Sequence, residues 1–153
     1  MHCRYRGKTW NEFEIGESAV SAGRTITETD TVLFACLTGD MNPLHTDAVF
    51  AEKSPYGRRI AHGAFGQSLM VGLAAQLGVF EGTTIALRQM DTRFKRPIFF
   101  GDTVHVEMRV EDKKDLRNLD QGLVVFKAQL YNQDQQLLID STWTVLMGKN
   151  PPV

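Results

Sequence analysis

The chain has 153 residues and a mass of 17.2 kDa, enough for one compact core that hides about 68–70% of the surface its unfolded form exposes. Hydrophobic residues at 42%, charged residues at 23% and a mean hydropathy of -0.22 exclude a disordered, collagen-like or disulfide-scaffold chain. Seventeen basic against eighteen acidic side chains leave a net charge of -1, with no broad positive field for nucleic acid or an anionic bilayer.

The first eight residues are polar and basic and lead into no apolar run, so no secretory or transit peptide is expected there. Cys3 and Cys36 lie far apart, without zinc or CxxC spacing, which fits a reducing, cytoplasmic setting. No repeat or flexible linker divides the sequence. Residues 1–153 are therefore read as one domain, its core between about 10 and 147.

Residues 10–25 read as irregular chain with a short strand around 18–26. Thr27, Glu28, Thr29 and Asp30 offer capping oxygens and first-turn acids to the apolar run Val32 to Leu37, and Gly39 stands where a helix-ending glycine belongs. A loop from Asp40 to His45 follows, in which Pro43 extends Asn42 and forbids a continued helix. Thr46 or Asp47 caps a short helix over 48–51, which Ser54-Pro55 ends ahead of a basic loop holding Arg58 and Arg59.

Residues 60–80 contain no Asp, Glu, Lys or Arg, and a helix of that composition is expected to be buried. His62, Gln67, Ser68, Gln76 and four glycines make it a poor membrane span. Beyond it the period changes to two. Val104, Val106, Met108 and Val110 alternate with polar residues; Val124, Phe126, Ala128 and Leu130 do likewise; Ile139, Ser141, Trp143 and Val145 form a third run. Turns are expected at Gly101-Asp102, 118–122 and 132–136, and residues 84–94, with Ile85, Leu87 and Phe94, make a fourth strand. These elements predict an α+β domain in which a curved antiparallel sheet wraps one long central helix.

Two segments carry chemistry. Gly39-Asp40-Met41-Asn42-Pro43-Leu44-His45 sets a carboxylate and an imidazole five residues apart, a pair able to hold a water and move its proton. The competing structural reading makes Asp40 a cap for the next helix, with His45 packed beside it. In Arg59-Ile60-Ala61-His62-Gly63, free N–H groups at a helix start, with a glycine permitting close approach, suit a thioester oxygen. Spacing alone favours His62 as a packed helix-start residue and places His105 on a strand surface; His2 lies in the tail. No histidine pair has metal-site spacing, so no metal is expected.

Thr38-Gly39-Asp40-Met41-Asn42-Pro43-Leu44-His45, Ile60-Ala61-His62-Gly63, Phe94-Lys95-Arg96-Pro97-Ile98 and Phe100-Gly101-Asp102 together resemble the MaoC-like dehydratases, the (R)-specific enoyl-CoA hydratase group of hotdog-fold proteins. The likeness runs from about Trp10 to Met147. It implies a lyase that reversibly hydrates trans-2-enoyl-CoA to (R)-3-hydroxyacyl-CoA. Asp40 and His45 would hold the catalytic water, Asn42 would fix their loop, and the Gly63 N–H would receive the thioester oxygen.

It further implies no cofactor beyond the coenzyme A carried by the substrate, and a homodimer or larger homo-oligomer. The basic cluster Arg93, Lys95 and Arg96 would meet the coenzyme A phosphates, a solvated strand end being the alternative. Phe65, Ser68, Leu69 and Val71 are candidates for the acyl-chain wall, although core packing explains them equally well. The rival functions are a hotdog acyl-CoA thioesterase and a non-catalytic acyl-CoA-binding domain.

Overall fold

A computed structural model describes residues 5–117 and 119–150; His2, Cys3 and Asn118 lie outside the described residues. After a 3-10 turn, Trp10–Glu12, come β1 (Ser18–Val20), β2 (Arg24–Thr25), α1 (Glu28–Thr38), α2 (Pro43–Thr46), α3 (Ala48–Glu52) and α4 (Gly63–Gln76). Four long strands follow: β3 (Thr84–Phe94), β4 (Thr103–Asp115), β5 (Gln121–Tyr131) and β6 (Leu137–Gly148). The sheet runs β1-β4-β5-β6-β3, with β2 also on β4, and its pairings are antiparallel.

The period-two runs land as their pattern requires. Val104, Val106, Met108 and Val110 of β4 and Val124, Phe126, Ala128 and Leu130 of β5 point inward, as do Ile139, Ser141, Trp143 and Val145 of β6. They close over Phe65, Leu69, Met70, Leu73 and Ala74 of α4, forming one core. Each fully buried aliphatic side chain contributes about 1.5–3 kcal/mol. At Gly66 an added Cβ would lie 2.5 Å from Ile98 Cδ1 and 2.8 Å from Ile139 Cδ1, so the missing side chain lets helix and sheet approach. This is the hotdog arrangement.

Local signals explain the element ends. Thr27 and Asp30 form a reciprocal capping box at the start of α1, and Gly39 ends it in the left-handed region at φ 78°. Asp102 braces the turn into β4: its Oδ2 accepts from the Phe99 N–H at 2.8 Å and its Oδ1 from Gln133 Nε2 at 3.3 Å, while Gly101 takes φ 93°.

Four expectations are corrected. The strand around 18–26 is two short strands separated by residues 21–23. The loop expected over Asp40 to His45 closes in a helical turn: Pro43 does keep α1 from continuing, with Asn42 at ψ 130°, but it occupies the first position of α2, where its missing N–H costs nothing, and Asn42 caps that turn through the Leu44 N–H. The charge-free run is helical only over Gly63–Gln76, because Ile60 bridges to Phe99 and Gly78 turns the chain at φ 81°. Nor is that helix buried all round. Gly63, Ala64, Ser68, Val71, Gly72, Ala75 and Gln76 lie exposed beside β3, an edge strand with no buried residue and with Ile85, Leu87 and Phe94 open to solvent. Among the described residues, no helix is long and apolar enough to cross a membrane.

Candidate active site

The turn after α1 carries Asp40, and its geometry follows from short-range bonds. Gly39 reverses the chain, the Asp40 N–H donates to Thr38 Oγ1 at 3.3 Å, and Asp40 Oδ1 accepts from the Asn42 N–H at 3.3 Å. The side chain is about half exposed. Asp40 therefore caps no helix; Asp47 caps α3 through the N–H groups of Val49 and Phe50, at 2.9 and 3.0 Å. Asn42 fixes the same loop by capping α2.

That helical turn presents His45, half-buried, toward the strap that enters α4. Its Nδ1 lies 2.8 Å from the Ile60 carbonyl oxygen. A carbonyl only accepts, so Nδ1 carries the proton and Nε2 of the neutral ring is left with a free lone pair.

His62 comes to the same place from the other side. It is 2% exposed, its Nε2 donates to the Asp40 carbonyl at 2.9 Å and lies 3.9 Å from Asp40 Oδ2, and its ring packs against that of His45 at a tilt, with centroids 3.8 Å apart. Sequence spacing gives His62 no such role, since 22 residues separate it from Asp40. The one available signal is its position immediately before Gly63.

Asp40, His45 and His62 each place one polar atom within 4.8 Å of the others. By that spacing the three could hold a metal ion. The two rings are tilted 33° from one another, and each bonds a carbonyl oxygen through one nitrogen, which leaves one nitrogen per ring uncommitted.

Beside the cluster begins α4. Its N-cap, His62, makes no side-chain capping bond, because its ring is engaged with Asp40, and Gly63 is exposed. The first-turn N–H groups of a helix have no intrahelical acceptor and bear partial positive charge, so this end suits a developing anion. Gly63 also lines a cleft of about 300 Å³ with Tyr56, Phe94, Lys95, Arg96 and Ile98.

Lys95 and Arg96 thus stand on the cleft that holds Gly63, with Arg96 Nη1 donating to the Leu137 carbonyl at 2.9 Å. Arg93 is exposed on β3 opposite Asp140 and is not among the cleft residues. Arg58 stacks on Phe99 at 3.9 Å, while Arg59 pairs with Glu28 at 2.6 Å. Phe65 and Leu69 belong to the core; Ser68 is exposed and returns its hydroxyl to the Ala64 carbonyl. Val71 lines a separate apolar groove with Phe80, Leu87 and Trp143. His105 is half-buried against Tyr131 and Glu107, away from the cluster.

Comparison with known proteins adds independent findings. Residues 11–130 match the family described as MaoC like domain. The chain is 38% identical over 107 residues to Protein MaoC of Klebsiella aerogenes, a match spanning 69% of this chain but only 31% of that longer protein. It is 29% identical over 126 residues to the (R)-specific enoyl-CoA hydratase of Aeromonas caviae, covering 82% of this chain and 89% of that one. Among solved structures, the monoamine oxidase regulatory protein from Archaeoglobus fulgius superposes with a TM-score of 0.89 at 34% identity, over 97% of this chain and 100% of that one.

Proposed function

The chain belongs to the MaoC-like dehydratase family, and from that premise we propose that it hydrates trans-2-enoyl-CoA reversibly to (R)-3-hydroxyacyl-CoA. One observation carries this reading: the Asp40 and His45 side chains meet within 4.8 Å, beside the uncapped start of a helix whose first residue is glycine. The hydratase name borne by the Aeromonas caviae relative supports the substrate class.

The β-carbon of an enoyl thioester accepts water only when its carbonyl is polarised. The Gly63 N–H and the α4 dipole stabilise the enolate oxygen as it forms. Asp40 orients the water. His45 Nε2, freed by the proton fixed on Nδ1, removes a proton as the water oxygen bonds the β-carbon, and the imidazolium returns a proton to the α-carbon. Net addition of water to the double bond requires no cofactor. Lys95 and Arg96 give the cleft the charge to receive coenzyme A phosphates.

The working unit is a homodimer. An edge strand of 11 residues without a buried member, next to a charge-free exposed helix face, is a surface that monomers normally protect. The exposed free thiol of Cys36 suits the reducing, cytoplasmic setting.

Crotonyl-CoA tests the reaction. Hydration removes the ultraviolet absorbance of the conjugated thioester and releases no thiol, whereas a thioesterase frees coenzyme A. A protein that binds the substrate and changes neither signal is a binding domain.

A further inference from the structure

The position of His62 is poorly explained by folding alone. Its ring packs against Phe34, with centroids 5.2 Å apart, and is buried, yet Nδ1 has no hydrogen-bond partner among the described residues. An aromatic hydrocarbon ring would fill the same space without burying an unpaired nitrogen. What a hydrocarbon ring lacks is the Nε2–H bond to the Asp40 carbonyl.

The strap of residues 60–62 therefore grips both members of the pair. The Ile60 carbonyl holds His45 Nδ1, and the His62 ring holds the Asp40 main chain while packing against the His45 ring at a 33° tilt. The next residue is Gly63, so the groups proposed to act on water and on the thioester oxygen are referenced to one short piece of backbone. Asp40 sits in an exposed turn, and the bonds that its own N–H and carboxylate make within that turn are 3.3 Å long. The shorter contact to His62 is what ties that turn to the start of α4.

We infer that His62 is a positioning residue: it fixes the Asp40 main chain through Nε2–H and limits the orientation of the His45 ring by close packing, without touching substrate. This rests on the hydratase reading, so wild-type turnover of crotonyl-CoA and its loss in Asp40→Asn are established first. An inactive wild type would defeat that reading and this inference with it.

Two substitutions then separate the roles. His62→Phe keeps the packing and removes the donor; His62→Gln sets an amide N–H near the Nε2 position. The expected result for His62→Phe is a kcat lower by about 10- to 100-fold with KM within about twofold, because misplacement affects the reacting groups and leaves coenzyme A binding intact. Its Tm should equal or exceed wild type, and His62→Gln should recover kcat to within about fivefold of wild type. A folded His62→Phe with wild-type kcat, a loss carried by KM, or a Gln variant as impaired as Phe would overturn the inference. So would a Tm drop of about 10 °C or more in His62→Phe, which would assign the residue to the fold.

Discussion

Substituting Gly63 by alanine should move stability and activity in opposite directions. The glycine does not have a positive φ, so alanine fits its backbone, and replacing a compatible glycine stabilises by about 0.4–1 kcal/mol. Against this, the new Cβ would lie 3.2 Å from Cδ1 and Cε1 of Phe94, tight contacts that require the ring to yield a few tenths of an ångström. Phe94 is 55% exposed and has room to do so. The net change is about 0 to 1 kcal/mol in favour of folding, which for 153 residues is a Tm rise of at most about 3 °C. The methyl group nevertheless enters the cleft where the thioester oxygen must reach the N–H. Losing one oxyanion donor costs about 10²–10³ in kcat. Thermal unfolding and crotonyl-CoA absorbance, measured on one preparation, give both numbers. Activity within about twofold of wild type at unchanged Tm would refute the assignment of the Gly63 N–H.

Other predictions follow from the core, the sheet and its edge. Leu73, 1% exposed against the sheet, should cost about 3 kcal/mol as alanine, lowering Tm by about 9 °C; a fall under about 3 °C would mean that the core is not packed as described. The side-chain hydrogen bond from Lys127, 2.6 Å away, holds the Asp140 carboxyl below its usual range. A depressed folded value contributes stability above the unfolded pKa of about 3.9 that is lost as pH falls through the folded value, so the Tm deficit of Asp140→Asn should be present at pH 7 and vanish in strong acid. Because the pair is partly exposed, that deficit should stay below about 1 kcal/mol, and a constant deficit across pH would contradict its origin. Leu87→Asp, on the open edge strand, should convert a dimer to a monomer in sedimentation; an unchanged mass would place the interface elsewhere.

Much of this fold is legible in the amino-acid order because strand burial has a period of two. Val104 to Val110 and Val124 to Leu130 alternate, and the structure turns those residues inward. Caps are equally local, as Thr27 and Gly39 illustrate. The charge-free helix is less legible, since lack of charge says that a face avoids water without saying whether the chain's own sheet or another subunit covers it. Ile85 and Leu87 are legible as part of the strand over 84–94, but their exposure on an edge is not, for the same reason. Of the candidate site, Asp40 and His45 are readable because only the four residues Met41 to Leu44 link them, with Pro43 stiffening the turn. His62 is not, because its place beside them depends on how the strap before α4 crosses the turn after α1, a tertiary relation without local signature.

The most direct test is to follow crotonyl-CoA with wild type, Asp40→Asn and His45→Gln while monitoring free thiol. Wild type should remove the enoyl absorbance without releasing thiol and yield the (R)-3-hydroxy product, and each variant should lose about 10²-fold or more of that rate at unchanged Tm. Thiol release in step with the absorbance change, or full activity in either variant, would contradict the hydratase reading.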